Sequence, residues 1–143
     1  MNEYLLLIAG GVVAYLMGSF SSAVWIGKWF YNTDVREHGS GNAGATNTIR
    51  VLGTRAGVIV MAIDIVKAWG AVMLAHLFAI DTWTEAQLVD YKIVVGSLAV
   101  LGHVFPVFTG FKGGKGVASL VGVIIALFSP YIFLLVLAWF LTV

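Results

Sequence analysis

The 143-residue sequence contains no cysteine and few charged residues. Without cysteine, these residues offer no disulfide, no thiolate nucleophile and no cysteine metal site. Charged residues make up only 10% of the chain, whereas hydrophobic residues make up 60% and the mean hydropathy is +0.97. Because a soluble domain carries about 25% charged residues, the composition indicates a membrane protein. The net charge of +1 gives no sign of nucleic-acid binding, and we expect no nucleic-acid partner.

The apolar segments predict an all-α, polytopic integral membrane protein with four to five transmembrane or half-membrane helices. These segments are residues 4–26, 53–78, 93–108, 117–128 and 131–143. Residues 117–128 would form a helix of roughly 18 Å, too short for a hydrocarbon core of roughly 30 Å. The last segment has no polar stop, so we expect a single transmembrane domain over 1–143 that is incomplete at its C-terminus. The alternative is one helix from Val117 that is kinked at Pro130 and continues to the end.

The loops between these segments differ in charge, which predicts their orientation. Loops 27–52 and 109–116 would lie on one side of the membrane, and loop 79–92 on the other. The first side carries Lys28, Arg36, Arg50, Arg55, Lys112 and Lys115, whereas the second carries Lys92 among Asp81, Glu85 and Asp90. The positive-inside rule therefore places the two basic loops in the cytoplasm and the N-terminus outside. The N-terminus does not resemble a secretory signal, because Glu3 stands where positive charge belongs.

The stretch "GSGNAGATN" at residues 39–47 matches the G-x-G-x-x-G pattern of dinucleotide-binding folds. That fold requires a hydrophobic strand just before the glycines, but residues 32–38 are polar. The stretch "FKGGKGVAS" is not a Walker A loop either, since Gly116 follows Lys115 where serine or threonine is required. Neither glycine motif therefore predicts a nucleotide enzyme.

Two glycine-rich, basic loops on one face instead favour a phosphate site. Glycine allows backbone N–H groups to converge on an anion, and hydroxyl and amide side chains add neutral donors. Arginine can grip phosphate oxygens with two parallel hydrogen bonds, whereas lysine acts as a point charge. The candidates are Gly39, Ser40, Gly41, Asn42, Gly44, Thr46, Asn47 and Arg50 in the first loop, and Lys112, Gly113, Gly114 and Lys115 in the second. The alternative is a flexible basic loop that only sets the topology.

Three stretches closely resemble the motifs of the bacterial acyl-phosphate:glycerol-3-phosphate acyltransferases, the PlsY family. They are "GSFSSA" at 18–23, "GSGNAGATNTIRVLG" at 39–53 and "LGHVFPVFTGFKGGKGVAS" at 101–119. The resemblance implies a seven-helix enzyme of the bacterial inner membrane that transfers a fatty acyl group from acyl phosphate to the 1-hydroxyl of glycerol 3-phosphate. It implies no cofactor and no metal. A membrane-lipid environment and a functional link to the soluble phosphate acyltransferase that makes acyl phosphate are implied as well.

The resemblance assigns catalysis to Ser40, Arg50 and Lys115, and substrate binding to the other candidates above together with His103. It also implies that a substrate phosphate, rather than a protein base, accepts the hydroxyl proton. Family members continue with further spans and a basic His-Arg-x-Asn segment, which these 143 residues lack. We therefore expect the glycerol 3-phosphate site to be incomplete in this chain.

Several other residues have open interpretations. His103 could bond substrate or cap a helix carbonyl. Asp64 and Lys67 share a helix face inside a span, where charge usually marks function, although a structural pair that steadies the loop is favoured. His76 and Asp81 match the H-x-x-x-x-D signature of a different acyltransferase class, but they lie at the opposite end of the span. We interpret that match as coincidence.

Two further function classes remain as alternatives. An anion transporter or channel would also use short, glycine-broken segments and basic loops. The basic clusters lie on one face only, with no matching set across the membrane, which speaks against transport. A purely structural membrane subunit would leave the clustered asparagine, serine, threonine and glycine without a purpose.

Overall fold

The computed structural model describes residues 2–80, 82–128 and 138, and this part of the chain is helical with short connections. The α-helices in it are α1 Glu3–Gly18, α2 Ser22–Tyr31, α3 Ala45–Leu52, α4 Thr54–Met73, α5 Ala75–Phe78, α6 Glu85–Val104 and α7 Val117–Leu127. Single 3-10 turns lie at Val35–Glu37 and Val107–Thr109. Apart from Ala138, the apolar segment at residues 131–143 lies outside the described residues. The all-α prediction is confirmed for the described part.

Among the described residues, two stretches are long and apolar enough to cross a membrane, namely Thr54–Phe78 and Glu85–Thr109. Helices α1 and α2 form a third crossing if the bent pair counts as one span, and α7 is a shorter apolar helix. Large apolar side chains on the outside of the bundle, such as Ile8, Val66 and Leu120, are exposed. Such a surface suits lipid rather than water.

The first apolar segment is not the uninterrupted span that residues 4–26 predict. It breaks at residues 19–21, bends by 42°, and continues as α2 to Tyr31. The break occurs where Gly18 lies directly against the backbone of Ala99 in α6. It frees the carbonyl oxygen of Phe20, which accepts a hydrogen bond from Lys67. Hydropathy could not show the break, because the segment carries no charge and the compensating donor lies 47 residues away.

The predicted loop 27–52 is also largely structured. It contains the end of α2, a 3-10 turn and the eight-residue helix α3. Helix α3 was not predicted, because glycine and polar residues dominate this stretch and because the buried face of the helix carries the polar residues Asn47 and Thr48. Helix α3 packs against α4, where the backbone of Ala45 and Ile49 comes close to Gly57. The true connection is shorter, and we call residues 32–44 the first glycine loop.

Helix α6 begins at Glu85 rather than at residue 93. Thr84 caps this helix. Its hydroxyl accepts a hydrogen bond from the backbone N–H of Gln87, and its own backbone N–H donates to Oε1 of Gln87. The sequence shows this capping box as T-x-x-Q. The first two turns were not predicted to be helical, because their charged residues interrupt the apolar segment. The loop that follows α6 ends at residue 116 as predicted, but it begins at residue 105 rather than 109. We call residues 105–116 the second glycine loop.

Helices α1 and α6 run parallel, which places the two glycine loops at one end of the bundle. The Tyr91 hydroxyl donates to the Leu7 carbonyl near the start of both helices. Near their far ends, the Tyr15 hydroxyl donates to the carbonyl of Phe105. Since α2 extends α1, the first glycine loop follows the same end of the bundle as the second.

Candidate functional site

Positive φ angles shape the first glycine loop at Gly39 and Gly41, with values of 62° and 71°. Side chains other than glycine rarely adopt this region without strain, so both positions favour glycine. Gly44 differs, because its φ of −132° is open to any residue. Two of the three glycines in the motif are therefore required by backbone conformation.

Asn47 holds this loop in shape from inside. Its side chain is almost fully buried, and its Oδ1 accepts a hydrogen bond from the Ser40 amide at 2.8 Å. Its Nδ2 donates to the carbonyls of Val35, at 2.7 Å, and His38, at 3.1 Å. Both amide hydrogens are thus engaged by the loop. Asn47 is a positioning residue here, and it has no donor left for a phosphate.

The start of α3 offers backbone donors beside this loop. Gly44 is the N-cap and no side chain caps this end. The amides of Ala45, Thr46 and Asn47 form the first turn of the helix, where N–H groups have no partner within the helix. Thr46 is exposed on this turn, and Asn42 lies against Gly44. Such a helix start is a natural binding place for an anion.

Arg50 projects from α3 next to the loop. A Cβ placed on Gly39 would lie 3.3 Å from Cδ of Arg50, so the stem of the arginine runs past this glycine. The side chain of Arg50 is exposed and has no acidic partner among the described residues. Its guanidinium is therefore available to a ligand. Ser40 is also exposed, and its hydroxyl makes no hydrogen bond within the described part of the chain.

The second glycine loop uses its glycines differently from the prediction. The Gly113 amide donates to the Val104 carbonyl and the Gly114 amide to the His103 carbonyl, both at 3.2 Å. These N–H groups therefore close the end of α6 and are not free to cradle an anion. A side chain at Gly113 would collide with the His103 carbonyl, and one at Gly114 with the His103 ring. Both glycines are needed for close packing, while the exposed Lys112 and Lys115 remain the cationic groups of this loop.

The two glycine loops touch one another at what we call the loop junction. The Ala43 amide donates to the Gly113 carbonyl at 3.4 Å, and Arg36 donates to the Thr109 carbonyl at 2.7 Å. A cavity of about 430 Å³ opens beside the junction. It is lined by Asp34, Arg36, Glu37, Gly41 and Lys112. Of the predicted site residues, Gly41 and Lys112 line this cavity. No contact joins Arg50 to Lys115 among the described residues.

Asp34 and Arg36 were not among the predicted site residues. Arg36 donates two side-chain hydrogen bonds to Asp34, at 2.7 and 3.0 Å, and Lys28 forms an ion pair with the same carboxylate at 3.2 Å. The hydrogen bonds from Arg36 hold the pKa of Asp34 well below its ordinary value, and Asp34 in turn raises the pKa of Arg36. The pair therefore stays charged around neutral pH, and Arg36 can hold the junction. The polar D-x-R pattern was visible in the sequence, but its contact 73 residues away was not.

A buried polar cluster lies beneath the junction. It consists of Ser22, Asp64, Lys67 and His103. Oδ1 of Asp64 accepts from the Ser22 hydroxyl at 2.9 Å and pairs with the Lys67 ammonium at 2.8 Å. The ammonium also lies 3.1 Å from Nδ1 of His103. The predicted Asp64–Lys67 pair is confirmed, and it supports the break between α1 and α2 from below.

This arrangement suits the binding of anionic ligands rather than covalent catalysis. Arg50 on α3 and Lys112 and Lys115 on the second glycine loop supply positive charge, and the start of α3 supplies N–H groups. In the described ranges, the Ser40 hydroxyl is not hydrogen-bonded to a base, and no cluster of three metal-ligating side chains exists. The other acyltransferase motif pairs His76 with Asp81, and Asp81 lies outside the described residues. Its His76 sits in α5, beyond the end of α4 that is remote from the junction.

Comparisons with known proteins agree with the sequence resemblance. The model of a family described as glycerol-3-phosphate acyltransferase matches residues 8–143. A glycerol-3-phosphate acyltransferase of Streptococcus thermophilus is 47% identical over 140 residues, covering 98% of this chain and 61% of the relative. One of Listeria welshimeri is 46% identical over 137 residues, covering 94% of this chain and 65% of the relative.

A crystal structure agrees as well. PlsY, an integral membrane glycerol 3-phosphate acyltransferase in its glycerol 3-phosphate form, has a TM-score of 0.74 and 38% identity. That match covers 94% of this chain and 62% of the solved one. The chain thus spans about three fifths of the length of these proteins. All of them are acyltransferases, which supports an acyltransferase over the transporter interpretation.

Proposed function

Because this chain belongs to the glycerol-3-phosphate acyltransferase family, we propose that the whole protein transfers a fatty acyl group from acyl phosphate to the 1-hydroxyl of glycerol 3-phosphate. The products are lysophosphatidate and inorganic phosphate. The observation that carries the proposal is the loop junction, where the two glycine loops are hydrogen-bonded to each other and the exposed Lys112 lines the cavity beside them. Both substrates carry phosphate, and such a site would bind both.

The chemistry needs no acyl-enzyme. The glycerol hydroxyl oxygen attacks the carbonyl carbon, the bond from that carbon to the phosphate oxygen breaks, and phosphate leaves. A phosphate oxygen of a substrate takes the hydroxyl proton. The protein contributes by holding the two reactants together and by stabilising the charge that develops on the carbonyl and the leaving phosphate.

The residues divide into three roles. Arg50 and Lys115 stabilise charge, and the Ser40 hydroxyl bonds a substrate oxygen. Asn42, Thr46 and Lys112 contact phosphate beside the backbone of the first glycine loop. Gly39, Gly41, Asn47, Gly113 and Gly114 act through the shape of the loops, and Gly44 acts as the N-cap of α3, where the backbone N–H groups face the phosphate.

The choice of acyl donor tests this function. The whole protein in proteoliposomes, supplied with labelled glycerol 3-phosphate, should give labelled lysophosphatidate with acyl phosphate only. Acyl-CoA and acylated acyl carrier protein should give no labelled lysophosphatidate, because they lack the phosphate leaving group. An Arg50→Ala variant controls for contaminating activity. Equal product from acyl-CoA would contradict the assigned donor.

We further propose that the protein resides in a bacterial inner membrane, with the N-terminus outside and the loop junction in the cytoplasm. Such a site would receive acyl phosphate from the soluble phosphate acyltransferase that makes it. The basic residues of the two glycine loops support this orientation.

Single cysteines test the orientation, because these 143 residues contain none. His38 and Glu85 are exposed at opposite ends of the bundle. In intact cells, a membrane-impermeant maleimide should label Glu85→Cys and leave His38→Cys unlabelled until the membrane is opened. The reverse pattern would contradict the proposed orientation.

A further inference from the structure

The Lys67 ammonium has three N–H groups and three acceptors around it. It lies 2.6 Å from the Phe20 carbonyl oxygen, 2.8 Å from Oδ1 of Asp64 and 3.1 Å from Nδ1 of His103. An ammonium group has no lone pair, so it can only donate. Nδ1 of His103 must therefore accept, and it cannot carry a proton.

A competing arrangement would place a proton on Nδ1 and direct it at Asp64. The distance from Nδ1 to Oδ1 is 3.4 Å, beyond the usual range for an N–H···O bond. The same oxygen already accepts from Ser22 and Lys67 at 2.9 and 2.8 Å. The shorter contact with Lys67 therefore decides the tautomer, and the single proton of His103 belongs on Nε2.

Nε2 points toward the loop junction. A Cβ on Gly114 would collide with this nitrogen and would lie 3.0 Å from the Ala43 carbonyl, so Nε2 sits between residues of both loops. It has no hydrogen-bond partner among the described residues. Four polar side-chain atoms of that part of the chain are fully enclosed without a partner, namely Ser19 Oγ, Trp25 Nε1, Thr109 Oγ1 and Ser119 Oγ. Nε2 is not one of them, and His103 as a whole is 5% exposed.

We propose that Lys67 is a positioning residue that fixes His103 as the Nε2–H tautomer, so that a neutral donor faces a phosphoryl oxygen of the substrate at the loop junction. The inference rests on the proposed function for the identity of the ligand, but the tautomer itself does not depend on it. The buried cluster then has two tasks. It closes the helix break at Phe20, and it orients a hydrogen-bond donor beneath the glycine loops.

Nitrogen-15 NMR of histidine-labelled whole protein tests the tautomer without substrate. The signal assigned to His103, by its loss in His103→Gln, should show a protonated Nε2 and an unprotonated Nδ1 at neutral pH. Lys67→Met should abolish this preference, whereas Lys92→Met, a lysine at the far end of α6, should keep it. A protonated Nδ1, or an imidazolium, in the unaltered protein would overturn the inference. The tautomer seen in the unaltered protein does not depend on how Lys67→Met folds.

Kinetics of two side-chain replacements test the donor. The glutamine amide reaches the position of Nε2, whereas the asparagine amide ends near Nδ1. His103→Gln should keep KM for the phosphate substrates within about threefold, and His103→Asn should raise it about tenfold, the loss of one hydrogen bond. Equal KM values for the two variants would overturn the proposed donor. If the unaltered protein forms no product at all, the proposed function fails, and the NMR result still decides the tautomer.

Discussion

Replacing Arg50 by lysine is expected to lower turnover ten- to a hundredfold in the whole protein, although the side chain keeps its positive charge. Lysine is a point charge, whereas arginine can hold two phosphate oxygens with parallel N–H groups. Loss of one charge-assisted hydrogen bond costs about 1.5–3 kcal/mol, which corresponds to that factor. Steady-state kinetics with acyl phosphate and glycerol 3-phosphate would measure the change.

Arg55 provides a matched control on the neighbouring helix. It is exposed in the first turn of α4, and no role at the loop junction is assigned to it. Arg55→Lys should leave turnover within about twofold, and both variants should insert and purify normally, because neither side chain is buried. Full activity of Arg50→Lys would show that the planar guanidinium is not required, and full activity of Arg50→Ala would remove Arg50 from the site.

Asn47→Ala should reduce turnover at least a hundredfold by deforming the first glycine loop. The change removes the partner of the Ser40 amide and of the Val35 and His38 carbonyls. Each group left without a partner costs about 1–3 kcal/mol, and a misplacement worth about 2.7 kcal/mol already corresponds to a hundredfold. Hydrogen exchange should also show that the Ser40 amide loses its protection.

Thr48 is a suitable control, because it is buried in the same helix as Asn47. Its hydroxyl donates only to the Gly44 carbonyl, which already accepts the Thr48 amide. Thr48→Val leaves neither backbone group without a partner, so turnover should fall less than threefold. If Asn47→Ala retains turnover and the Ser40 amide stays protected, the loop does not depend on Asn47. Equal damage in both variants would indicate that any change in α3 is harmful.

Asn47 shows where reasoning from the sequence reaches its limit. The stretch around it was correctly predicted to be a shaped glycine loop, and Asn47 was predicted to contact phosphate. In the structure, the side-chain amide of Asn47 is hydrogen-bonded to the loop instead, because this side chain lies between the loop and α3. Gly113 and Gly114 follow the same pattern, since their amide groups close α6. The sequence shows which residues carry hydrogen-bond donors, but only the folded chain shows which of these donors already have partners within the protein.

The sequence by itself determined the membrane class, the family, the basic loops and the glycine positions. These properties depend on the composition and motifs of single segments, which can be read without a fold. Only the tertiary structure decided the break before Ser22, the contact between the glycine loops, and the cluster that joins Lys67 to His103. The physical reason is that these features depend on hydrogen bonds between residues 36 to 73 positions apart, whose partners only the folded bundle brings together.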